Sequence, residues 1–185
     1  MIPLFAAGTG LALAYSYLSG PKNNVRVTSS IDKKEYLVQN LPDKQEAANL
    51  ICKLRSKLIK LVDSFKDSQD PAYQRLVAKF NPEAFEENDI TANSTSYSEN
   101  KGEKIVVCIR DKKEPYPFID ENTIMFVLLH ELAHLMTEST GHTPEFWNNF
   151  RRLLHDSVKD GIYIPVNYTQ TPQSYCGMTI SDSPI

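Results

Sequence analysis

What this chain has little of narrows its function first. Three cysteines scattered through 185 residues are too few for a disulfide framework, and an odd count leaves at least one thiol unpaired. That favours a fold independent of bridges, in a reducing compartment. A basic excess is also missing: 20 lysines and arginines face 23 aspartates and glutamates, for a net charge of −3. Nucleic-acid surfaces show basic patches or stripes, so no nucleic-acid partner is expected. Histidine is scarce, and all four lie between His130 and His155. No lysine or arginine precedes the apolar opening of the chain, and Ser16-Tyr17-Leu18-Ser19-Gly20 is a poor cleavage site, which argues against a signal peptide.

That opening is itself informative. Residues 2–18 carry no charge; seventeen such residues are at the short end of what crosses a bilayer as a helix, and Tyr15 and Tyr17 fall where interfacial aromatics belong. Residues 1–20 therefore read as an N-terminal transmembrane helix. Lys22, Arg26, Lys33 and Lys34 follow it, so the positive-inside tendency makes this a single-pass membrane protein with its C-terminal domain cytoplasmic. The sequons Asn93-Ser94-Thr95 and Asn167-Tyr168-Thr169 would matter only in a lumenal domain. Gly20-Pro21, Asn23-Asn24 and Leu41-Pro42 mark residues 21–42 as a tether with one short strand at Glu35-Tyr36-Leu37-Val38. Residues 43–185 are long enough for one globular domain.

Within that domain, Asp43 and Glu46 resemble a capping box, and Ala47, Ile51, Leu54, Leu58, Leu61 and Phe65 recur at helical spacing. Asp70-Pro71 opens a second helix that Asn81-Pro82 stops. Thr95-Ser96-Tyr97-Ser98 and Ile105-Val106-Val107-Cys108-Ile109 read as a β-hairpin turning at Asn100 and Gly102. Cys108 and Cys52 read as buried small hydrophobes. Pro115-Tyr116-Pro117 then delivers the chain to Asp120, an N-cap.

The helix that follows carries the chemistry. His130-Glu131-Leu132-Ala133-His134 sits in the apolar run of residues 124–136. Residues four apart share one helix face, so His130 and His134 can aim at a single metal ion, and Glu131 lies close enough to take a proton from a water beside it. Burying these groups without partners would be costly. A catalytic zinc takes three protein ligands and leaves one position open. The candidates for the third are His142, His155, Glu138, Glu145 and Asp156. Gly141 can end the helix and reverse the chain, and Thr143-Pro144 can cap and start the next one. That reversal makes His142 the preferred ligand, while His155, roughly 18 Å further along a helix, reads as a surface or capping residue.

His-Glu-Leu-Ala-His followed by Gly141-His142-Thr143-Pro144-Glu145-Phe146-Trp147 resembles the zincin metallopeptidases of the WLM and SprT-like (Spartan-type) families. The resemblance spans about residues 121–155. It implies an α+β, zincin-like minimal metallopeptidase domain, with the active-site helix packed under a small antiparallel sheet. It assigns Zn2+ to His130, His134 and His142 and the base to Glu131. The substrate would be a polypeptide, held as an added strand on the hairpin edge.

The tail after residue 161 lacks extended periodicity. Tyr175 is the preferred tail phenol for stabilising an oxyanion, because Tyr175-Cys176-Gly177-Met178 looks like a tight turn. Cys176 is an alternative fourth zinc ligand. The reading is a membrane-anchored zinc metallopeptidase. Its rivals are a tethered zinc-binding structural or assembly protein without turnover, which an occupied fourth position would favour, and a DNA-associated Spartan-like protease, for which the basic groove or zinc-ribbon tail is missing.

Overall fold

The computed structural model describes residues 24–99 and 104–185. The N-terminal segment read as an anchor and the Asn100–Gly102 turn lie outside the described residues. No helix among the described residues is long and apolar enough to cross a membrane. Among the described residues the elements follow in the order β1 (Val25–Thr28), β2 (Glu35–Val38), α1 (Lys44–Asp63), α2 (Pro71–Lys79), β3 (Phe85–Glu87), β4 (Tyr97–Glu99), β5 (Lys104–Val107), α3 (Glu121–Met136), α4 (Pro144–Lys159), β6 (Gln173–Tyr175) and β7 (Met178–Ile180).

The α+β class holds, but the sheet differs from the one expected. It is five-stranded and mixed, in the order β1-β2-β3-β5-β4. The β1–β2 and β4–β5 pairs are antiparallel, whereas β2–β3 and β3–β5 are parallel. The cause is connectivity: α1 and α2 separate β2 from β3, and so long a crossover lets β3 enter alongside β2 in the same direction. Residues 25–38 are therefore two strands of this sheet, not a tether with one. β6 and β7 form a separate two-stranded ribbon.

The periodic residues of α1 do what their spacing predicts. Ala47, Ile51, Leu54, Leu58 and Leu61 are fully buried, with the helix lying on β1, β2 and β3. Asp70 caps α2 by accepting from the Ala72 N–H, and Asp120 caps α3 by accepting from Thr123. Asp43 departs from the expected capping box: its side chain makes no cap bond and is drawn to Arg110, whose Nη1 lies 2.7 Å from Asp43 Oδ2. Arg110 is itself buried, with Nε 2.8 Å from Glu87 Oε1 and its guanidinium 4.1 Å from the Phe118 ring centroid. A buried charge needs a partner of this kind, and the buried Arg110 guanidinium outcompetes a surface cap for the Asp43 carboxylate.

Cys108 and Cys176 are joined in a disulfide. Cys108 is thus not an isolated hydrophobe, and Cys176 has no thiolate to offer a metal. The two lie 68 positions apart, and only the folded chain brings their Cα atoms within 6.1 Å. Cys52 is the free, buried cysteine. The bridge removes the support that the cysteine count lent to a reducing compartment.

Candidate metal centre and active site

α3 holds its place through an almost wholly apolar surface. Ile124, Leu128, Leu129, Leu132 and Met136 are fully buried, and the helix packs on α2, α4 and β6. Beyond its first turn this surface opens at Val127, His130, Glu131 and His134. The helix ends at Met136, before Gly141. Thr137 Oγ1 donates to the Ala133 carbonyl and accepts from Asn149 Nδ2, which fastens the helix end to α4. Gly141, at φ +82, reverses the loop of residues 137–143 rather than terminating the helix. Thr143 then caps α4 by accepting from the Phe146 N–H.

This loop returns His142 to the α3 histidines. One ring nitrogen from each of His130, His134 and His142 lies within 4.8 Å of the others, and the Nε2 atoms of His130 and His142 are 3.1 Å apart. The other candidates for a third ligand are engaged elsewhere. Glu138 pairs with Arg75, and Asp156 accepts from the Tyr73 hydroxyl. Glu145 accepts from the Glu138 and Ser139 N–H groups and from Ser139 Oγ. His155 is exposed.

Phe146 lies against the cluster, stacked on His134 with ring centroids 4.3 Å apart and 4.9 Å from His130. Burial, and then repulsion from His134 and His142, push the His130 imidazole down to about 3. His134 is lowered by burial and then by His142. Both rings are neutral near pH 7 and keep lone pairs to donate, as a metal requires. Three converging imidazoles of this kind suit zinc and leave one of its four positions open.

Burial raises Glu131 to about 7, while hydrogen bonds from Ser98 pull the other way. Glu131 and His130 open on a cavity of about 350 Å³ that Tyr175 also borders. Tyr175 is fully buried, and its hydroxyl lies 2.5 Å from Ser96 Oγ, which accepts from the Cys108 N–H at 2.8 Å. Burial first, and then the charge of Glu131, raise the Tyr175 phenol. It remains protonated at any physiological pH.

The structure thus brings four of the five expected site residues to one cavity: His130, Glu131, His142 and Tyr175. His134 completes the imidazole cluster. The tight turn expected after Tyr175 is present, with Cys176 and Gly177 at φ 51 and 84 linking β6 to β7. Sequence reasoning missed Ser96, Ser98 and the wall supplied by Ile180. Ser96, just before β4, and Ser98 within it are two positions apart, the spacing that shares a face in extended chain, which is a usable signal. Nothing local marks β7 as part of the site.

Comparison with known proteins agrees with this geometry. Residues 93–177 match the WLM domain. An uncharacterized protein of Acanthamoeba polyphaga mimivirus is 34% identical over 162 residues, covering 84% of this chain and 82% of that protein. Another, from Invertebrate iridescent virus 6, is 39% identical over 69 residues, or 37% of this chain and 38% of its own. Among solved structures, Wss1 from Saccharomyces cerevisiae superposes with a TM-score of 0.52 at 23% identity, covering 67% of this chain and 88% of Wss1. That likeness is one of fold. Since the matched segment contains every residue of the cavity discussed up to Tyr175, and a relative is similar over most of both chains, this protein belongs to the WLM-domain family.

Proposed function

We propose that this protein is a zinc-dependent metallopeptidase that hydrolyses peptide bonds in a polypeptide substrate. The observation that carries the reading is the convergence of three imidazoles within 4.8 Å, beside a partly buried carboxylate that opens on the same cavity. His130, His134 and His142 would hold the ion. Zinc, when bound, brings the pKa of a coordinated water towards neutrality and polarises a carbonyl.

The remaining steps belong to the chain's own groups. Glu131 takes a proton from the attacking water and passes it to the leaving amine. Its raised affinity for protons suits both halves of that transfer. Ser96 accepts from the Cys108 N–H, so its own proton is free for the Tyr175 oxygen. That leaves the phenolic proton of Tyr175 for the oxygen of the scissile carbonyl. β4 is an edge strand, and its outer edge offers backbone groups to an extended peptide.

A zinc protein without turnover is the weaker reading, because Cys176, the candidate fourth ligand, is held in a disulfide and a three-histidine set keeps a position open. The acidic balance of the chain gives no electrostatic argument for a DNA-associated role. The uncharged residues 2–18 would tether the domain to a membrane. Extraction of the full chain from membranes by carbonate alone would refute that tether.

The test pairs metal analysis with a peptide digest. The wild type should bind one zinc per chain and cut casein or a peptide library. Glu131→Gln should keep the zinc and lose at least ~10²-fold in kcat/KM. Tyr175→Phe should lower kcat with zinc content unchanged. A Glu131→Gln variant that cuts at the wild-type rate would remove Glu131 from the mechanism.

A further inference from the structure

The cavity does not stop at the metal-facing residues. From the His142 ring the aromatic surface continues to Trp147, 5.8 Å away, and from the His130 ring to Phe150, 5.3 Å away. Phe150 in turn meets Phe126 at 5.1 Å. Met178 and Ile180 of β7 also line this space. Its volume of about 350 Å³ is far beyond a packing defect and near the lower end of ligand-sized pockets. It suits one or two side chains, not an element of secondary structure. Among the described residues that line it there is no lysine or arginine, whereas Glu131 and Asp182 place two carboxylates on it.

We infer that this cavity is a specificity pocket that takes one bulky apolar side chain, of phenylalanine, leucine or methionine type, from the substrate residue adjoining the scissile bond. The inference rests on the peptidase reading and adds the substrate class to it. Two features carry it. The apolar wall begins 5–6 Å from the imidazoles, about one to two residue lengths of extended chain, so a carbonyl at the metal places its neighbouring side chain there. Met178 is 49% exposed, the only large exposed hydrophobic residue on this cavity among the described residues. An unbranched thioether adapts to side chains of different shape, which accounts for a class of accepted residues. The lining offers no lysine or arginine to pair a side-chain carboxylate, and Asp182 repels one, so aspartate and glutamate are rejected.

The test uses the zinc-loaded full chain and two probes. Binding of free amino-acid hydroxamates, which chelate the ion whether or not the protein turns over, is followed by calorimetry. Phenylalanine and leucine hydroxamates should bind at least ~10-fold more tightly than glycine hydroxamate, with aspartate hydroxamate the weakest. Met178→Lys, at a half-exposed position that does not disturb the core, should narrow the phenylalanine-over-aspartate preference by at least ~10-fold. Digestion of a peptide library should enrich the same residues on one side of the cut. A flat hydroxamate ranking, no hydroxamate binding, or a ranking untouched by Met178→Lys overturns the pocket. Should the ranking hold while no peptide is cut, the pocket stands and the peptidase reading falls.

Discussion

Replacing Cys108 and Cys176 together by alanine removes the crosslink between the end of β5 and the β6–β7 turn. The bridge spans 68 positions, and in the chain-entropy account closing a loop of that size restricts the unfolded chain by about 4.4 kcal/mol at 25 °C. Measured bridges often deliver less, so the expected loss is about 2–4 kcal/mol. Alanine is preferred to serine because Cys108 and Cys176 are only 5% and 3% exposed, and two hydroxyls there would add their own desolvation cost. With a urea m-value of about 2–3 kcal/mol/M, the unfolding midpoint should fall by about 1–2 M, followed through the single tryptophan, Trp147. Reductant should destabilise the wild type and a Cys52→Ala variant alike, since Cys52 is free, and should leave the double variant unmoved. Zinc stoichiometry should survive, because all three imidazoles sit between residues 130 and 142. A loss below ~1 kcal/mol, or a double variant that still responds to reductant, would refute the view that the bridge stabilises the ribbon by constraining the unfolded chain.

Three further outcomes follow from the geometry. His142→Ala should lower zinc content under competition with a chelator, and unchanged stoichiometry would disprove its role as a ligand. Arg110→Ala strands the carboxylate of Glu87, which is 2% exposed. It should destabilise the fold by about 3–5 kcal/mol in urea titration, whereas a change under ~1 kcal/mol would mean that water reaches the cluster. Burial acts to raise Asp70, but its bonds with Arg152 and the Ala72 N–H prevail and hold it below the ordinary carboxylate value. The native state therefore binds fewer protons there than the unfolded chain. The stabilisation is present at neutral pH and is lost as pH falls below about 4 through the depressed value. Asp70→Asn should flatten the acid limb of a stability–pH curve and leave its slope above pH 6 unchanged; an unaltered acid limb would contradict the assignment.

Much of the site was legible because its determinants are local. Asp120, Thr143 and Gly141 announce where α3 starts, where α4 starts and where the chain reverses, and those three signals suffice to bring His142 back to His130. The periodicity of α1 foretold its buried face for the same reason. What escaped notice depends on residues far apart in the chain. β1 and β3 run for only four and three residues, too short for an alternation to declare a strand, and they become strands only because β2 and β5 offer them edges. Asp43 has the right spacing for a capping box, yet Arg110, 67 positions on, claims its side chain. The Cys108–Cys176 bridge and the Ser96–Tyr175 hydrogen bond likewise join segments 68 and 79 positions apart, and no window along the sequence contains both ends.

The loop between α3 and α4 has a cost in redundancy. Glu145, in the first turn of α4, already receives three donors from residues 138 and 139, and those bonds hold the loop in the shape that presents His142. Were that imidazole lost, Glu145 could not stand in for it without unravelling the turn it closes. The centre has no understudy, and a family member lacking this histidine would have to recruit its replacement from another part of the chain.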